Sequence, residues 1–167
     1  DLKNKKRNII MDFKIALQNN DKYKIINYVK NGIDLNKLID YKYPIFYLIQ
    51  NDNIELIELF FSYGAKINIY SCECSMTPIM YAIQLKKDKI IQLLISYGSN
   101  LNFILQDYYT EGIDFHSLTL NTNIIFWAYE TNPFLSAYIY GHIKAVKYIL
   151  NNQLFDVKKE YFSYFND

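Results

Sequence analysis

The sequence predicts an all-α solenoid of helix–turn–helix repeats joined by extended or hairpin loops. Three observations carry this. Ile57-Glu-Leu-Phe-Phe-Ser-Tyr-Gly64-Ala-Lys-Ile-Asn68 and Ile91-Gln-Leu-Leu-Ile-Ser-Tyr-Gly98-Ser-Asn-Leu-Asn102 write one pattern twice, 34 residues apart. Upstream, Pro44-Ile-Phe-Tyr-Leu48 and Pro78-Ile-Met-Tyr-Ala82 repeat at the same spacing of 34. Weaker copies flank these: Val29 and Gly32-Ile-Asp-Leu-Asn36 before, and Pro133-Phe-Leu-Ser-Ala137, Gly141-His142 and Ala145 to Leu150 after. Such a period marks units that bury their apolar faces only by stacking.

Each part of the copy has a local reason. Pro44, Pro78 and Pro133 suit the first turn of a helix, where the missing N–H would be unpaired anyway. Thr77 before Pro78 is a natural N-cap. Ala16, Ala82 and Ala137 place a small side chain four residues into that helix, letting the next helix approach; Leu48 replaces it in the second copy. Asp52-Asn53, Lys87-Asp88 and Gly141-His142 mark the turn to a second helix. That helix carries apolar residues at helical spacing, as in Ile57, Phe60 and Phe61, or Ile90, Ile91, Leu94 and Ile95. Gly32, Gly64 and Gly98 then end it in the left-handed conformation that only Gly adopts freely.

These residues resemble the ankyrin repeat: Met76-Thr77-Pro78-Ile79 with Ala82, then Ile90-Ile91 with Leu93-Leu94, then Tyr97-Gly98-Ser99-Asn100-Leu101-Asn102. The resemblance implies an ankyrin-type solenoid over residues 1–167, with repeats at about 11–37, 38–71, 72–104 and 127–156, an insertion at 105–126 and a tail at 157–167. Two departures stand out. The histidine of the family pattern is absent, with Phe46, Met80 and Leu135 in its place, so apolar packing is expected where the family has a hydrogen-bond network. The fourth copy ends in Asn151-Asn152-Gln153 where Gly is expected.

The spacing from Pro78 to Pro133 is 55 residues where about 33 are expected, an excess of 22, and the extra length falls between Asn102 and Trp127. Insertions in repeat proteins map to loops on one face, often the binding face. A tolerated loop extension and an eroded fifth repeat are the alternatives.

Composition excludes several function classes. Net charge is +1, which gives no overall field for nucleic acid or an anionic membrane. No stretch approaches the length of a membrane span, and no signal peptide is evident, so a cytoplasmic, reducing setting is expected. Cys72 and Cys74 are too close for good disulfide geometry and lack the further ligands of a zinc site. His142 fills the turn position of the repeat. His116 beside Asp114 is a pairing that chance supplies. No Gly-rich phosphate loop occurs. No cofactor and no metal are therefore expected. The basic start, Lys3, Lys5, Lys6 and Arg7, reads as a solvated tail. The wealth of Tyr, Phe, Ile, Asn and Lys fits A/T-rich codons.

The expected function is a non-enzymatic protein–protein interaction module: an adaptor, a scaffold or a subunit of a larger assembly. The resemblance implies partner-facing positions at loop tips and at the exposed end of each first helix. These are Lys42, Gln50 and Asn51; Glu73, Cys74, Met76, Gln84 and Leu85; and Tyr129, Thr131, Ile139 and Tyr140. The later, more apolar members favour the third and fourth copies with the insertion as the main contact. A host-interacting effector, or the repeat part of a longer enzyme, are the alternative readings.

Overall fold

The computed structural model describes residues 2–71, 76–101, 105–106, 130–131, 137 and 140–152. They belong to two compact units, residues 1–100 and 101–167.

The first unit holds three helix pairs: α1 (Leu2–Gln18) with α2 (Lys22–Lys30), α3 (Pro44–Gln50) with α4 (Ile54–Ser62), and α5 (Pro78–Gln84) with α6 (Asp88–Ser96). The first helices stack as α1, α3, α5, and the second helices as α2, α4, α6, giving two layers. The core lies within and between them. Phe13, Leu17, Ile25, Phe46, Leu48, Ile57, Phe60, Ile83 and Leu94 have no exposed surface. Each such side chain stabilises the fold by roughly 1.5–3 kcal/mol through the hydrophobic effect. Ala16 and Ala82 are buried at the predicted close approach of neighbouring helices.

The starts and stops follow the residues. Pro44 and Pro78 open α3 and α5, and the Thr77 hydroxyl accepts the Met80 N–H at 3.4 Å. Asp21 and Asn53 cap α2 and α4 the same way. Asn20, Asp52 and Lys86 take positive φ (51°, 57° and 55°) in the turn between paired helices. Gly64 N–H donates to the Phe61 carbonyl and Ala65 N–H to the Phe60 carbonyl, the double bond that closes a helix on a left-handed glycine. Gly32 and Gly98 are built alike.

Contrary to expectation, the basic start is not a solvated tail. Helix α1 begins at Leu2, running ten residues further back than α3 or α5 do relative to their prolines. Where Pro44 and Pro78 stand, the first copy has Asp12, so nothing breaks the helix there. Lys and Arg are good helix formers, and Lys5, Lys6 and Arg7 stay solvent-exposed on it.

The first pair also differs in polarity. Lys14 replaces Phe46 and Met80, Lys24 replaces Leu56 and Ile90, and Asn27 replaces Leu59 and Leu93. Lys24 and Asn27 are exposed there, while Lys14 faces the next repeat and pairs with Asp40.

In the second unit, β1 (Leu105–Gln106) pairs antiparallel with β2 (Glu130–Thr131). Ala137 is helical and buried, and α7 (Ile143–Asn151) buries Ala145 and Ile149. His142 precedes α7, 6 % exposed, and its N–H donates to the Ala137 carbonyl at 2.8 Å.

Candidate functional site

Between the helix pairs the chain makes short hairpins. Ile39 bridges Lys42 and Ser71 bridges Met76, both antiparallel, and Leu105 pairs with Thr131. Ile39, Ser71 and Leu105 each lie seven residues after their repeat glycine, Gly32, Gly64 and Gly98. Lys42, Met76 and Thr131 each lie two residues before a proline, Pro44, Pro78 and Pro133. The three pairings are therefore equivalent hairpins of successive repeats. Their tips differ in length: Asp40-Tyr41, then residues 72–75, then residues 107–129. The first two residues of the insertion expected at 105–126 are strand β1, and its remaining residues lie outside the described ones. In the first hairpin Asp40 and Tyr41 have φ of 47° and 65°, the doubly left-handed turn whose twist matches two paired strands.

Beside this first hairpin, α1 and α3 enclose a groove of about 390 Å³ lined by Lys14, Gln18, Asp40, Lys42, Tyr47 and Gln50, with Asn51 at its end. Lys42 Nζ lies 5.0 Å from the centre of the Tyr47 ring and 5.3 Å from that of Tyr81, and donates to Gln50 Oε1 at 3.2 Å. The two rings and the amide hold the ammonium in place, an arrangement favourable for a cation. Lys14 forms an ion pair with Asp40.

Gln50 is exposed as the last residue of α3, and Gln84 as the last residue of α5. Gln18, exposed at the end of α1, continues their row, though the sequence pattern did not single it out. Its signal was present, since Gln18 precedes Gln50 by 32 residues, the Gly32 to Gly64 spacing. Asn51 is turned inward. Its Nδ2 donates to the Leu17 carbonyl at 2.9 Å, supplying a donor that the end of α1 lacks. Met76 and Leu85 are half-buried, the first in the second hairpin and the second capping α5. Thr131 lies in β2, and Tyr140 is half-buried in the turn before Gly141. Glu73, Cys74, Tyr129 and Ile139 lie outside the described residues, as do Cys72 and His116. Among the described residues no three His, Cys, Asp or Glu side chains gather as a metal site.

Phe46 and Met80, in place of the family histidine, are buried, and Phe46 packs on Tyr81 with ring centres 5.4 Å apart. Apolar contact does replace the polar network there.

Paired helices in two layers, closed by left-handed glycines and linked by short hairpins, define a solenoid of helix–turn–helix repeats. A family model described as ankyrin repeats, in three copies, matches residues 13–104, more than half of the chain. The chain belongs to the ankyrin-repeat family. Ankyrin repeats are in general protein–protein interaction modules and typically not enzymes. No curated protein matches the chain. Among the described residues no helix is long and apolar enough to cross a membrane.

Proposed function

We propose that the chain is a non-enzymatic adaptor or structural subunit that holds another protein along the row Gln18, Gln50 and Gln84. The carrying observation is this row itself: three exposed amides at equivalent helix ends, beside a groove floored by Tyr47 and a fixed Lys42. Amides that both donate and accept suit a partner's backbone or polar side chains. Met76, Gln84 and Leu85 extend the surface toward more apolar contacts. The loop at 107–129, with Tyr129 at its end, adds a further arm, and Thr131, Ile139 and Tyr140 follow it in the fourth copy. Support for the arm is its place in the sequence: the extra length falls between two segments that pair as β1 and β2, and connecting segments often carry function.

The test is affinity capture of partners on three forms: the intact chain, a Gln18, Gln50 and Gln84 to Ala triple variant, and a form without residues 107–129. A stoichiometric partner lost from either variant supports the reading. A partner kept by both, or none at all, overturns it.

A further inference from the structure

The ten added residues of α1 create a second groove, away from the glutamine row. It has a volume of about 560 Å³. Ile9, Ile10, Ile33 and Ile39 form its apolar floor, and the charged residues lining it are Lys6, Lys37 and Asp34, two cations against one carboxylate. Ile9 is 40 % exposed, and Ile10 and Ile33 are half-buried, so the floor is open to a ligand. The inner copies have a hairpin where α1 continues, so the groove belongs to the first repeat alone. The charge of the first repeat as a whole is lopsided too. Residues 1–42 carry ten Lys or Arg against five Asp, a surplus of five in a chain whose net charge is +1. Lys5, Arg7, Lys24 and Lys30 are all exposed in this repeat.

We infer that this groove is a separate docking site for an acidic amphipathic segment of a partner protein. The isoleucine floor takes apolar side chains spaced as on one helix face. The lysine rim and surrounding cations attract carboxylates flanking them, raising the association rate and selecting against basic segments. A second copy docked end-on would set one basic surface against another. A recess, rather than a projecting apolar ridge, suits side chains better than a bilayer surface.

The experiment is selection of random peptides displayed against the intact chain, followed by titration of enriched peptides on three proteins. These are the wild type, the Lys6→Glu/Lys37→Glu variant and the Gln50→Ala/Gln84→Ala variant. The lysines are exposed, so circular dichroism should show the reversal variant folded. The expected result is a family of peptides with Asp or Glu around apolar residues at helical spacing. Their affinity should fall about tenfold or more on charge reversal, fall with added salt, and be unchanged by the glutamine variant. Peptides indifferent to charge reversal but lost with the glutamines would overturn this inference and leave the proposed function standing. Failure to enrich any groove-dependent peptide would also overturn it. Sedimentation of the chain with phosphatidylserine vesicles, abolished by the same charge reversal while no peptide binds, would replace it with a membrane contact.

Discussion

Asn36 Oδ1 accepts the backbone N–H of Lys66 at 2.7 Å, tying the exit loop of one repeat to that of the next. The same amide donates through Nδ2 to the Gly64 carbonyl at 3.0 Å. One repeat further, Asn68 accepts from the Asn100 N–H at 2.8 Å and donates to the Gly98 carbonyl at 3.3 Å. Each asparagine satisfies a donor and an acceptor of a neighbouring loop that no helix serves. Asn36→Ala should lower stability by about 1–2 kcal/mol, since each bond contributes about 0.5–1.5 kcal/mol net. Asn36→Asp keeps the acceptor and loses the donor, and should cost less. Urea unfolding of the two variants checks the order; equal losses would mean that the bond from the Lys66 N–H contributes nothing.

The left-handed positions give a pair of opposite effects. Gly98 has φ of +88°, and nothing lies within 4 Å of where a Cβ would sit, so Gly98→Ala meets only backbone strain. The expected cost is about 1 kcal/mol or more. Lys86 has φ of 55° with a side chain that the turn does not require. Lys86→Gly relieves the strain and should raise stability by about 0.5–1 kcal/mol, less the entropy of the added glycine. Thermal unfolding of both reads the sign directly.

The helices, their turns and their closing glycines were legible because each is set by short-range rules. Pro44, Pro78, Thr77, Gly64 and Gly98 act within a few residues of themselves, and their periodic recurrence multiplies the signal. The start of α1 was not legible, because its cause is an absence: Asp12 stands where a proline would have stopped the helix. The candidate site was legible only in part. Gln50 and Gln84 were found from the pattern, but exposure and the inward turn of Asn51 depend on what lies 34 residues away, as its bond to Leu17 shows.

That difference separates two kinds of variant in one surface. Gln18, Gln50 and Gln84 are exposed, so replacing all three by Ala should change stability by less than about 0.5 kcal/mol per site. Partner binding should weaken while the melting temperature holds. Asn51→Ala removes a donor from the Leu17 carbonyl and should cost about 1 kcal/mol of stability whatever it does to binding. A glutamine variant that unfolds early would show these amides to be structural instead.

Phe46 carries a larger share of the fold. It is fully buried against Tyr81, in the position where the family pattern has histidine. Phe46→Ala should cost about 3–5 kcal/mol, from lost burial and the cavity left behind. Phe46→His should also destabilise, because the surroundings now offer the ring apolar contact. Chemical unfolding measures both; a His variant as stable as the wild type would mean the loops can rebuild the polar network.

The hairpin loop should be removable. Gln106 pairs with Glu130 as Ile39 bridges Lys42, and only Asp40-Tyr41 separates the latter two. Replacing residues 107–129 by Asn-Gly gives β1 and β2 the same kind of connection as the first hairpin, with both linking residues at positive φ, which Asn-Gly adopts readily. Loop length by itself costs little, so shortening it should leave the melting temperature within a few degrees or raise it slightly. The alternative is that these residues form packed structure on which the second unit depends. Calorimetry distinguishes the two: a cooperative transition near the wild-type temperature makes the segment an appendage of the hairpin, free to act in binding. Loss of cooperativity would make it part of the fold, and the proposed arm would have to be abandoned.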